Sequence, residues 1–329
     1  MTRIILLLTL LLAACGPVVT AARSQALAPD ANDIALDPAV AYRNLVISRS
    51  GSAADPITVY GNGATVQCLS VTGSHVTVQG VLAQGCASHG IVVSGQYVTL
   101  AGNTVRGNVT SNGAARCTGS GQWGSAVKVY LGGQHITISD NVITGNCGEG
   151  IAITRGVDVT VTRNRVTDAF SVGIYVDNSN GVRVTDNTVQ CVDPNYYRSG
   201  QPARGLLLGA ESYSGWGFQL RDVDLAANRV EGCLGLRYYS QVSGTPTAVT
   251  VRDNLFVGVP VPAVSLPAWA VISGNIIASP TPGTPVSGTP SRTPPIPTRT
   301  PATVPPTPSA TPECYTLPTS RGRVSICFE

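Results

Sequence analysis

Lys128 is the only lysine in the 329-residue chain. It stands in Val127-Lys-Val-Tyr130, where Val127 and Val129 alternate with Lys128 and Tyr130. That alternation predicts a strand with the valines inward and Lys128 and Tyr130 on the outer face. A lysine on a groove floor can serve as a base toward an acidic C–H if partial burial and neighbouring cations depress its pKa. Later segments place related side chains in the same phase: Ala152 and Thr154 with Arg155 just beyond, then Tyr175 and Asp177, then Leu207, then Arg237 and Tyr239. Lys128, Tyr175, Asp177 and Arg155 are therefore the candidate catalytic residues. Glu149 and Glu211 are further candidate acids, and His89, one coil earlier, reads as a turn residue. Asp177 with Glu149 or Asp168 could offer oxygen ligands to a hard cation such as Ca²⁺, although no dense acidic cluster is present. The plainer reading of every outward position is a polar side chain facing solvent.

These positions depend on a repeat. Val98-Thr-Leu-Ala-Gly-Asn103 returns as Ile136-Thr-Ile-Ser-Asp-Asn141, Val159-Thr-Val-Thr-Arg-Asn164 and Val182-Arg-Val-Thr-Asp-Asn187. It continues to Asn228, Asn254 and Asn275. The regular interval is 23 residues, from Asn141 to Asn164 and again to Asn187. A fixed period of this size marks a solenoid. Each unit holds a Val-Thr-Val strand, a turn at Asn, a short strand such as Val142-Ile143, and a strand opening with Gly, as at Gly90, Gly150, Gly173 and Gly205. Three strands per coil predict an all-β, right-handed parallel β-helix over residues 37–278. One coil cannot bury its own apolar face, but stacked coils can. Asparagine tolerates left-handed turns and its amide can bond backbone inside a bend. Asn103, Asn141, Asn164, Asn187, Asn228, Asn254 and Asn275 are therefore expected to form a structural ladder.

The period breaks twice. The Asn103–Asn141 interval is 38 residues, with 107–124 inserted, and the Asn187–Asn228 interval is 41. Long excursions from a solenoid gather on one face and tend to carry binding. Here they bracket Lys128. They bring Trp123, Trp216, Tyr196, Tyr197 and Tyr213 to the walls of a groove along the Gly-led strands. Aromatic faces in a polar groove suit sugar stacking, so Tyr130, Trp123, Trp216, Tyr196 and Arg237 are the candidate substrate-binding residues. Asn108-Val-Thr110 has the form of a glycosylation sequon.

The units, together with the opening stretch from Tyr42 to Gly61, resemble the parallel β-helix repeats of the pectin-lyase-like superfamily. The resemblance implies the fold and polysaccharide as partner. It also implies a lysine-plus-calcium arrangement for a lyase acting on uronate-containing glycans. Calcium is the one cofactor so implied. The Asn-Thr-Asp and Gly-His-Gly signatures of β-helix polygalacturonases are absent, and Asp193-Pro-Asn195 has Asn where β-helix epimerases carry His. The alternative is a non-catalytic surface protein that binds glycans, adheres or serves structure with its long face.

The ends carry separate signals. Arg3 precedes an apolar run from Ile4 to Ala14, too short to span a bilayer and fitting a signal peptide over residues 1–14. Leu12-Ala-Ala-Cys15 resembles the lipobox of bacterial lipoproteins, which implies lipidation of Cys15, a tether over 15–36 and a membrane partner. The alternative is cleavage after Ala26-Leu-Ala28, which releases a soluble protein. Residues 279–313 are rich in Pro, Thr and Ser and are expected as an extended linker. Residues 314–329 form a tail too short for a core of its own. Lipidation of Cys15 leaves eight of the nine cysteines, an even number suited to an oxidising compartment. Spacing suggests Cys68–Cys86, Cys117–Cys147, Cys191–Cys233 and Cys314–Cys327. With no CxxC pair and three histidines, a zinc site is disfavoured. Net charge of +3 and no basic cluster disfavour nucleic acid. A monomer is expected.

Overall fold

The computed structural model describes residues 32–119, 123–213 and 217–280, and the backbone of two further strands, Glu313–Thr319 and Gly322–Phe328. The positions expected at Cys15 and Trp216, the signal peptide and most of the linker lie outside the described residues. The body is a stack of coils with three faces, each a ladder of parallel strands. The first face runs from Ile34–Ala35 through Val98–Ala101, Gln134–Ser139, Val157–Thr162, Asn180–Thr185 and Arg221–Ala226 to Ala270–Ser273. The second carries the short strands, among them Thr104–Arg106, Val142–Asn146, Arg165–Ala169, Thr188–Gln190 and Arg229–Glu231. The third holds Ile91–Val93, Ser125–Val129, Glu149–Thr154, Val172–Asp177, Arg204–Ala210 and Leu236–Ser240.

Register follows the repeat. Val159, Val182, Val223 and Val249 are successive partners, so the pairing is unbroken across the long 187–228 interval. The insertions are absorbed in turns, where they leave the ladders intact. On the third face Val127, Ile151, Ile174 and Leu206 are stacked in the same way. These apolar columns are almost fully buried and form one continuous core along the axis.

The asparagine ladder is present at all seven positions. From Asn103 to Asn254, each backbone N–H and side-chain Nδ2 donates to Oδ1 of the next asparagine at 2.9–3.1 Å. Each Nδ2 also reaches a strand carbonyl of the preceding coil, as Asn187 does to Val161 at 2.9 Å. A second, shorter ladder occupies the next corner, where Asn108 N–H donates to Asn146 Oδ1 at 2.9 Å. Asn108 is fully buried there, so its sequon is closed to modification in the folded chain.

The Gly-led pattern has a steric cause. A Cβ on Gly173 would stand 2.3 Å from Val189 Cγ1, and one on Gly205 would stand 2.3 Å from Val230 Cγ1. Each glycine sits at the corner between second and third faces, where the core valines of the short strands leave no room for a side chain. Gly150, pressed against Val166 Cγ1, and Ile151 after it both face inward. The alternation therefore slips by one residue at the corner, and Glu149 is turned out of the core.

Three disulfides are formed: Cys68–Cys86, Cys117–Cys147 and Cys191–Cys233. The last two fasten the two insertions to the solenoid. In the C-terminal hairpin the antiparallel register sets Cys314 opposite Cys327; their side chains lie outside the described residues.

Candidate functional site

The third face presents two outward rows. One runs Val92, Lys128, Ala152, Tyr175, Leu207, Arg237. The other includes Thr154, Asp177, Gly209 and Tyr239. Over the middle of these rows lies a cleft of about 590 Å³. Its lining includes Trp123, Lys128, Tyr130, Glu149, Tyr175, Arg198, Arg204, Leu207, Glu211, Tyr213 and Tyr239. A second hollow of about 410 Å³ adjoins it on the N-terminal side and shares Trp123, Lys128 and Tyr130, with His89 at its edge.

The floor is less open than outward alternation implies. Ala152, Thr154 and Asp177 are buried, and so is the Tyr175 ring, which packs with Ala152, Val172 and Leu207. The residues after Ala210 fold back over this part of the face. Tyr213 donates to Asp177 Oδ2 at 2.5 Å, and the Glu211 backbone N–H donates to Asp177 Oδ1 at 2.9 Å. Tyr175 donates to Glu211 Oε1 at 2.9 Å, while Tyr213 Oη lies 3.1 Å from Glu211 Oε2. The Tyr175 hydroxyl passes over Gly209, where an added Cβ would come within 2.3 Å of it. Burial pushes the Asp177 carboxyl up, outweighing the hydrogen bonds from Tyr213 and Glu211. Burial, joined by neighbouring carboxylates, raises both Tyr175 and Tyr213 far above the usual phenol range. Asp177 thus anchors the covering loop at 0% exposure, which corrects its expected place on an open floor. Arg155 is likewise buried, its guanidinium 4.6 Å from the Tyr213 ring centre and 5.6 Å from that of Tyr130. It backs the two rings and does not present itself to the cleft.

Lys128 and Glu149 face the cleft together. Lys128 Nζ is 3.9 Å from Glu149 Oε2, which also accepts from Ser125 Oγ at 2.7 Å. Burial raises the Glu149 carboxyl, against the downward pull of Lys128 and Ser125. His89 is in the turn, as expected, but its ring reaches the site: Nδ1 accepts from the Ser125 N–H at 3.0 Å. Burial first, then Lys128, lowers its pKa to about 4, so the imidazole is neutral at physiological pH.

The walls come from both insertions, which touch each other. Cys117 N–H donates to the Asn195 carbonyl at 3.0 Å, and the Arg198 guanidinium lies 4.4 Å from the Trp123 ring centre. Trp123 is 59% exposed and lines the cleft. Tyr196 is not a wall residue; it packs on Val109, Phe170 and the Cys117–Cys147 bridge. Tyr197 packs against the main core. Arg198, Arg204 and Ser125 were not singled out from the sequence. They lie in irregular loops or at strand starts, where no periodicity signals them.

Calcium does not fit the acids proposed for it. Both Asp177 oxygens are engaged by Tyr213 and Glu211, and Glu149 Oε2 by Ser125 and Lys128. Asp168 Oδ1 is held by the Val192 and Asp193 N–H groups at 2.7 and 2.9 Å, where it secures the second insertion. Among the described residues no group of three His, Cys, Asp or Glu is placed to hold a metal ion.

Comparison with known proteins bears on the fold. Solved structures similar to this chain include pectate lyase Pel9A, at 15% identity over 74% of this chain and 70% of that one, with a TM-score of 0.44. The Streptococcus pneumoniae surface protein and adhesin PfbA shares 9% identity over 76% and 86%, with a TM-score of 0.46. The A-module of the Azotobacter vinelandii mannuronan C-5 epimerase AlgE6 shares 16% over 73% and 74%, with a TM-score of 0.46. No curated protein matches the chain in sequence. The family described as "right handed beta helix region" matches residues 46–196 and 115–277, well over half of the chain. With the three parallel ladders and the Asn stack, this makes the chain a member of the right-handed β-helix family.

Proposed function

We propose that this is an exported, lipid-anchored protein that binds polysaccharide in the Lys128 cleft and cleaves it by proton transfer, as a lyase of uronate-containing glycans. The observation that carries the reading is the Lys128–Glu149 pair, set in a groove with Trp123, Tyr130 and Tyr239 on its walls and floor. The pair shares one proton, held either as ammonium and carboxylate or as amine and carboxylic acid. Burial pushes the Glu149 carboxyl up and so favours the acid as the proton donor. From the amine-and-acid form Lys128 takes the proton α to the uronate carboxylate. The C–H electrons become the new C=C bond, and the glycosidic C–O electrons leave with oxygen, which receives the Glu149 proton. The pair ends as ammonium and carboxylate, and one proton exchange resets it.

Incubating the purified protein with a panel of uronate polysaccharides, and following the ultraviolet absorbance of unsaturated products, tests the activity. Lys128→Ala is expected to lower turnover by at least about a hundredfold while the chain stays folded. Retained turnover removes Lys128 as the base. A flat trace across the panel favours non-catalytic glycan binding.

The lipobox at Cys15 and the three disulfides, which belong to an oxidising compartment, support the anchored, exported location. Cys15→Ser is expected to move the protein from the membrane fraction to the soluble fraction. Unchanged fractionation would discard the anchor.

A further inference from the structure

Four arginines of the solenoid turns and strands are paired: Arg163, Arg183, Arg229 and Arg252 each have a carboxylate oxygen at 2.8–3.1 Å. Arg198, Arg204 and Arg237 are set apart by their place at the cleft. Among the described residues none of the three has a carboxylate within ion-pairing distance. Arg198 and Arg204 line the cleft, and Arg237 is the strand partner of Leu207, which also lines it. Arg204 is half-buried; burial, and then the charge of Arg237, push its pKa down. A half-buried arginine repelled by an exposed neighbour, without an internal counter-ion, raises the energy of the empty site, and an anion between them lowers it.

From this we infer that the cleft takes a polyanionic glycan whose acidic groups are held by Arg198, Arg204 and Arg237, with no calcium bridge. The inference rests on the reading of the cleft as a site for acidic glycans and adds the means by which their acidic groups are recognised. Guanidinium groups grip carboxylate or sulfate in a two-point fork, so they can take the part a divalent cation would otherwise play. The engagement of Asp177, Glu149 and Asp168 by protein groups points the same way. Geometry adds a further support. Arg204 is the strand partner of Val172, one coil beyond the strand that begins with Glu149, so the anion wall lies about two strand spacings, roughly 10 Å, from the proton-transferring pair. A ligand meeting both must run along the solenoid axis.

The test uses the full chain carrying Glu149→Gln, which slows turnover during binding. Titration calorimetry is run with polygalacturonate, dextran sulfate and neutral dextran, each with calcium and again with EDTA. The expected result is binding of an acidic polymer but not of dextran, unchanged by EDTA. The first two polymers tell carboxylate from sulfate. Arg204→Ala and Arg237→Ala should each weaken that binding about tenfold, and Arg204→Lys should recover only part of the loss. The exposed Arg198 and Arg237 give variants that leave burial undisturbed. Equal binding of dextran, loss of binding in EDTA, or parental affinity in the arginine variants would overturn the inference. Uronate cleavage by the parent protein at a rate unchanged in the arginine variants would also overturn it while leaving the enzymatic reading intact. Acidic-glycan binding without turnover would do the reverse.

Discussion

Glu149→Gln is expected to reduce glycan turnover by about 10²–10⁴-fold, the usual contribution of a positioned general acid. The amide keeps the shape and can still meet Ser125 Oγ, but it has no proton to deliver to the leaving oxygen. A titration of rate against pH adds a second reading. Burial holds the Glu149 carboxyl above its ordinary value, so the protonated acid persists to higher pH than in a free glutamate. Because the reacting pair carries one proton, turnover should rise as pH climbs through that raised value, where the second proton leaves, and the variant should lack this limb. Stability moves the other way. A carboxyl whose folded-state pKa is raised costs nothing below its unfolded value of about 4.3 and costs most above the folded one. The variant should thus match the parent in acid and equal or exceed its stability at neutral pH. Urea unfolding at both pH values separates a lost acid from a damaged fold. Unchanged turnover would assign the proton to another group.

Asn187→Ala is expected to have the largest effect on stability, about 2–6 kcal/mol. It leaves the Asn164 N–H and Nδ2 without the acceptor they meet at 2.9 and 3.0 Å, and it strips the Val161 and Thr185 carbonyls of a donor. These groups are buried or part-buried in mid-stack, where water cannot easily replace the amide. Asn275→Ala is the control. It stands at the last rung, is only half-buried, and should cost far less because solvent can take its place. Denaturant midpoints for the two variants make the comparison. Equal costs would mean that the ladder adds little beyond its polar surface.

Periodicity explains why so much of the fold could be read from the residues. Seven asparagines at the same point of the coil predict their own stacking. Lys128, Tyr175 and Leu207 fall in one row because strand alternation has no other phase. The covering loop could not be read in this way. Nothing in the sequence around Glu211 or Tyr213 says that they fold back to bury Asp177. Tyr196 looks like a groove aromatic until the Cys117–Cys147 bridge beside it is known. Glu149 belongs to the cleft only because a glycine corner breaks the alternation one residue away. The arginine wall assembles from positions 198, 204 and 237, which share no motif and meet through the second insertion.

The asparagine ladder also has a direction. Every backbone N–H in it waits for the Oδ1 carried by the coil that follows in sequence, and each Nδ2 makes one bond forward to that oxygen and one back to a strand carbonyl of the coil before. A chain leaving the ribosome or an export channel N-terminus first therefore shows, at its newest edge, unanswered donors of the coil just completed. Each new coil closes the previous one and opens the same vacancy again. Growth is templated and one-way, like courses of brick laid on a finished row, so a fault in one rung should halt the rungs after it while those before it stand.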